Sequence, residues 1–158
     1  MNSATSSDSP LALIPPTASL AWEAKVSIGP RQELGNGPLG ERFIVPILGG
    51  HFKGQLLGHS LSGTVLPGGA DRQLLRADQI KELDALYEMQ HDDGTVFTIH
   101  NRVLIDAPSD GQRYAFSHVR VVAPKGPHDW LNRRVFVGTL HPLAPEEQAV
   151  CVRVWMLS

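Results

Sequence analysis

One cysteine, no long apolar run and no surplus of charge of either sign remove several large classes of protein from consideration. Cys151 stands inside an apolar run, so an intrachain disulfide framework is excluded and a buried, inert thiol is expected in place of a nucleophile. Fourteen Lys and Arg against sixteen Asp and Glu leave a net charge of −2. Arg133-Arg134 is a pair and not a patch, so nothing here would draw in nucleic acid or an anionic membrane. No stretch approaches the roughly 18 consecutive apolar residues of a membrane span. Leu11 to Ile14 is too short for a secretion-signal core, and a cytoplasmic protein is expected.

Cofactor motifs are missing as well. Gly49-Gly50 and Gly68-Gly69 have no Lys-Ser/Thr sequel and open no helix, so they read as tight corners of a sheet and not as a phosphate cradle. There is no Gly-x-Ser-x-Gly elbow. Seven histidines invite a metal, yet His51 and His59, His91 and His100, and His118 and His128 form no short ligand pair and have no Cys partner. Neither a metal nor an organic cofactor is expected.

What the chain does contain is a succession of short alternating runs punctuated by Gly, Pro and Asp, with 15 glycines and 12 prolines in 158 residues. Residues 1–18, rich in Ser, Pro and Ala, lack the apolar surface to offset ordering and read as a flexible tail. Residues 19–158 form one domain. Strands are expected at 21–28, 42–47, 63–66, 73–76, 83–90, 96–105, 114–122, 133–139 and 149–157, with one helical turn near Asp78. About nine antiparallel strands with few helices must curl on themselves to hide an apolar face, which predicts an all-β antiparallel barrel. Val150, Val152, Val154 and Met156 share one face of the last run while Cys151 and Trp155 share the other. Apolar residues on both faces predict a homo-oligomer built through barrel contacts.

Strand parity divides the central three runs. Asp84, Leu86, Glu88, Thr98, His100, Arg102, Tyr114, Phe116, His118, Arg120 and Val122 fall on one face. Leu83, Ala85, Tyr87, Met89, Phe97, Ile99, Asn101, Val103, Ala115, Ser117, Val119 and Val121 fall on the other. Hydropathy alone makes the second face the core and the first the solvent side.

Leu66-Pro67-Gly68-Gly69-Ala70-Asp71, the Asp93-Gly94 hairpin signal and Trp130-Leu131-Asn132-Arg133, in that order, resemble a family of small microbial β-barrel proteins of unknown function. That family is distantly similar to the allene oxide cyclase barrel, and the resemblance covers residues 20–157. Against the family pattern this chain keeps Asp84 and Tyr87 but carries Leu86, Phe116 and Val122 where two arginines and a glutamate are expected. Arg72, Val103 and His128 stand where the family has Trp, Gly and Tyr. A charged cluster is given up jointly when its members share one enclosed space, because breaking it singly costs about 3–5 kcal/mol. The resemblance therefore implies that the first face lines a lumen rebuilt for an apolar substrate.

On that reading Asp84 and His118 are candidate proton-transfer or hydrogen-bonding groups, and His51 looks into the barrel mouth. Leu86, Thr98, Tyr114, Phe116 and Val122 would contact the substrate. Asp71 is expected to tie a turn. The implied activity is a cofactor-independent cyclase or isomerase of specialised metabolism, with a hetero-Diels–Alder ring closure among the candidate reactions. The alternatives are a non-catalytic carrier or sensor of a small apolar ligand, and a structural oligomer with a filled core.

Overall fold

A computed structural model describes residues 11–158. Of the expected tail, residues 1–10 lie outside the described residues; 11–17 run in exposed, irregular backbone, tied at Thr17 to the terminal Ser158 by paired backbone bonds of 2.7 and 2.9 Å. Twelve strands follow, β1 (Ala18–Ile28), β2 (Gln32–Gly37), β3 (Gly40–Lys53), β4 (Gln55–Leu56), β5 (His59–Ser60), β6 (Gly63–Val65), β7 (Ala70–Leu75), β8 (Lys81–His91), β9 (Val96–Asp106), β10 (Tyr114–Val122), β11 (Phe136–Pro142) and β12 (Ala149–Leu157).

The long strands close into a ring. Each of β8 to β12 pairs with the next, β12 pairs with β1, β1 with β3, and β3 returns to β8 through β6 and β7. With β6 and β7 as two halves of one stave, the barrel has eight antiparallel staves, while β2 extends β3 as a hairpin and β4–β5 form a separate ribbon. The barrel expected from the alternating pattern is therefore present, with one stave split and one hairpin added.

The split falls at Leu66-Pro67-Gly68-Gly69. Proline cannot donate to the ladder, and a Cβ on Gly69 would meet Tyr87 Cβ at 2.5 Å, so the chain can cross over β8 there only without a side chain. At Gly50, φ is +135° and a Cβ would lie 2.0 Å from the Lys25 carbonyl oxygen. Around this irregularity β3 changes parity: Phe43, Val45 and Ile47 point inward before it and Phe52 after it. The glycine pairs thus act as corners, as expected.

One end of the barrel is solid. Trp22, Phe52, Leu61, Met89, Phe97, Leu131 and Val154 are almost wholly buried there, with Trp22 6.4 Å edge-on from Phe52 and 5.8 Å from Phe136. The Trp130-Leu131-Asn132 motif sits in a short 3-10 turn, Asp129–Arg133, which places Leu131 in this plug. Asn132 holds it shut by accepting from the Ala123 N–H and donating to the Ala123 carbonyl, both at 2.8 Å. The expected strand start at Arg133 is corrected to Phe136 because this turn intervenes. The expected helical turn near Asp78 is likewise absent. Asp78 accepts from the Ile80 N–H and from Arg76, which suits a tight link between β7 and β8. Among the described residues no helix is long and apolar enough to cross a membrane.

Candidate functional site

Opposite the plug the barrel is hollow. A cavity of about 290 Å³ is walled by Val26, Val45, Leu83, Val103, Leu140 and Val152, with Asp71, Gln73, Lys81, Tyr87, Asn101 and Arg113 as its polar members. Burial explains which face turned inward. Leu83, Ala85, Tyr87, Met89, Phe97, Ile99, Asn101 and Val103 alternate with exposed or half-exposed neighbours along β8 and β9. Desolvating the other face would have buried Asp84, Glu88, Arg102 and Arg120, a cost that no apolar gain there could offset.

The lumen is graded from mouth to plug. Along the β7–β8–β9 ladder, Lys81 and Ile105 are paired nearest the mouth; then come Gln73, Leu83 and Val103; then Asp71, Ala85 and Asn101; then Tyr87 and Ile99. Asp71 and Asn101 flank Ala85 on one rung, about 10 Å apart by strand spacing. The small methyl of Ala85 leaves the space between them open.

Asp71 is half-buried. Its Oδ1 accepts from the Asp84 N–H at 3.0 Å and its Oδ2 from Gln73 Nε2 at 2.8 Å. Burial outweighs these bonds and raises its carboxyl pKa to about 6. Desolvation drives the Tyr87 phenol well above its ordinary value, so it stays protonated. Tyr87 Oη, Asn101 Oδ1, Gln73 Oε1 and, higher on β10, Ser117 Oγ are buried with no protein hydrogen-bond partner. Each such atom costs about 1–3 kcal/mol unless a ligand or water meets it.

The residues singled out from the resemblance lie elsewhere. Leu86, Tyr114, Phe116 and Val122 are on the outer surface, with about half of each side chain exposed, and His51 is exposed on the outside of β3. Thr98 also faces outward and donates to Glu88 Oε2 at 2.9 Å. Their expected place in the lumen is corrected by the pleat, which sends the whole first face outside. Asp84 and His118 are brought together, but in an open outer groove with Arg72 and Arg102. Asp84 Oδ1 pairs there with His100 Nε2 at 2.6 Å, both side chains well exposed. Cys151 also points outward, half-buried, its thiol pKa raised by burial.

One cluster was invisible in the spacing of the histidines. His91, Asp93 and His128 bring three potential metal-ligating atoms within 4.8 Å of one another at the plugged end. Their hydrogen bonds already engage them: His91 Nε2 lies 2.6 Å from the Ser60 carbonyl, its Nδ1 accepts from the Asp93 N–H, and His128 Nε2 is 2.7 Å from Asp93 Oδ2. The Thr95 N–H and His128 hold the Asp93 carboxyl far below its usual range. The trio clasps the Asp93-Gly94 hairpin against the 3-10 turn.

A family model described as "Protein of unknown function (DUF3237)" matches residues 16–157. The chain belongs to the DUF3237 family. This DUF3237 chain is 43% identical over 74 residues to a UPF0311 protein of Rhodopseudomonas palustris strain TIE-1. That match takes in 47% of this chain and 46% of the relative, so the chain spans about half the relative's length. The crystal structure of a conserved protein of unknown function from Rhodopseudomonas palustris superposes with a TM-score of 0.81 at 28% identity, covering 92% of this chain and 99% of that one. The crystal structure of an enzyme from Penicillium herquei superposes with a TM-score of 0.72 at 21% identity, over 94% and 98% of the two chains. At that identity the likeness is one of fold.

Of the residues that define the lumen, Tyr87 and Asn101 could have been singled out as the polar members of the apolar face. Asp71, Gln73, Lys81 and Arg113 lie on the flanking stave or at strand ends, where parity is not legible before the pairing is known.

Proposed function

We propose that the lumen is the active site of a cofactor-independent cyclase or isomerase acting on a small, largely apolar substrate. One observation supports this most: an apolar cavity at the open end of the barrel whose wall carries a carboxyl of raised pKa, with Tyr87 and Asn101 among its lining residues. A carboxyl with a pKa of about 6 is divided between acid and base forms near neutrality, the condition for moving a proton in either direction. In an isomerisation Asp71 would take a proton from one carbon and return it to another, with no net change. The Tyr87 hydroxyl, held protonated, would donate to a carbonyl oxygen as negative charge grows on it. In a ring closure the walls would fold the chain of the substrate and exclude water while the same donors polarise it. Asp84, His118 and His51 would take no part from the outer surface.

The test is conversion of a panel of apolar enones and polyenes by the wild-type protein and by Asp71→Asn, followed by mass spectrometry and chiral chromatography. Turnover by the wild type, with binding but a rate lower by about 10²–10⁴-fold in the variant, is the expected result. Binding without turnover by either protein would favour a carrier. Asp84→Asn and His118→Gln should leave conversion within about twofold of wild type and stability within about 0.5 kcal/mol, as exposed residues do; a large loss of rate in either would return the site to the outer groove.

A further inference from the structure

We infer that the substrate of this lumen carries an anionic head group, a carboxylate, which is held at the mouth by Lys81 and Arg113 while its apolar body extends toward Asp71. This rests on the lumen being the substrate site. Both residues line the cavity, Lys81 at the first residue of β8 and Arg113 just before β10. A third cation is near Lys81: the Arg31 guanidinium lies 4.1 Å over the Phe43 ring and is close enough to repel Lys81.

Among the described residues, none of these three cations is in an ion pair. Arg113 donates to the Leu140 carbonyl at 2.9 Å, which ties its guanidinium to the cavity wall at β11 and leaves its remaining donors free. Lys81 is half-buried, and desolvation together with the Arg31 charge lowers its pKa. A cation kept partly out of water beside a second cation is costly unless an anion joins it. The balancing carboxylate on the protein, Asp71, sits two rungs deeper and accepts hydrogen bonds from elsewhere. An amphipathic acid would meet both demands, placing charge between Lys81 and Arg113 and carbon against Leu83, Val103, Leu140 and Val152.

The test uses three probes of one shape, 2-naphthylacetate, 2-(2-naphthyl)ethanol and 2-(2-naphthyl)ethylamine, titrated calorimetrically near neutral pH and low salt. The acid should bind roughly tenfold more tightly than the alcohol, and the amine most weakly. Lys81→Met should bring the acid-to-alcohol ratio close to one, and Lys81→Arg should keep it. Arg113→Gln, at an exposed position, tests the same ratio if the Lys81 variant does not fold. Ala85→Leu, which fills the middle of the lumen, should abolish binding of all three and so excludes attachment elsewhere. An alcohol that binds wild type as well as the acid would overturn the head-group inference and leave the lumen standing. Failure of all three probes to bind would overturn the lumen reading and this inference with it.

Discussion

Asp71→Asn is expected to make the protein more stable above pH 6 by about 1–3 kcal/mol and to leave stability below pH 4 unchanged. The folded state raises this carboxyl from 3.8 to about 6, so between those values the native protein binds more protons than the unfolded chain. Stability therefore falls as pH rises through that window, and the full cost of the buried carboxylate is present above it. Asparagine removes the charge and can still accept from the Asp84 N–H. A flip of Gln73 would offer its unpartnered Oε1 to the new amide. Urea unfolding at intervals from pH 4 to pH 8 checks this; identical pH profiles for the two proteins would show that Asp71 keeps an ordinary pKa. A gain in stability that accompanies loss of turnover is the pattern of a residue retained for chemistry at a structural cost.

Trp22→Ala should be the most damaging single change in the plug, at about 3–5 kcal/mol. The indole is 1% exposed and wedged between Phe52 and Phe136, so its removal leaves a hole that rigid neighbours on three staves cannot fill. Leu140→Ala, in the wall of the existing cavity, should cost less than about 2 kcal/mol, since part of that side chain already faces open space. Equilibrium unfolding of both variants at one pH measures the contrast. Equal losses would mean that the two ends of the barrel are packed alike and that the lumen is not a standing void. The contrast bears on the proposed function because a solid floor would leave the lumen open at one end only, the end that Lys81 and Arg113 line.

The staves from β8 to β10 were legible because each alternates cleanly and has a turn signal at one end. Val96 and Tyr114 start their strands where the alternation places them, and the last strand, Ala149–Leu157, follows its expected bounds. β2, β4 and β5 were not. Their residues carry no alternation of buried side chains, and β2 in particular is almost wholly exposed, so it exists through pairing with β3 alone. The 3-10 turn hid inside Trp130-Leu131-Asn132 because its reason is a bond to Ala123, nine residues back, and no local periodicity encodes that.

The choice of face went against the resemblance and with hydropathy. The resemblance led Leu86, Phe116 and Val122 to be expected inside a lumen, yet all three are on the outside. Phe116 packs there edge-on against Tyr114 at 4.9 Å, an apolar contact on the outer surface and not in an enclosed space.

By itself the amino-acid sequence determined an antiparallel barrel, the parity of its central staves and the positions of its corners, because alternation, glycine and proline act within a few residues. Only the tertiary structure decided where the lumen is hollow, that Asp71 and Asn101 flank Ala85 on one rung, and that Lys81 and Arg113 line the same cavity. Those relations join different staves, and closing the ring sets their register through hydrogen bonds between residues far apart in the chain.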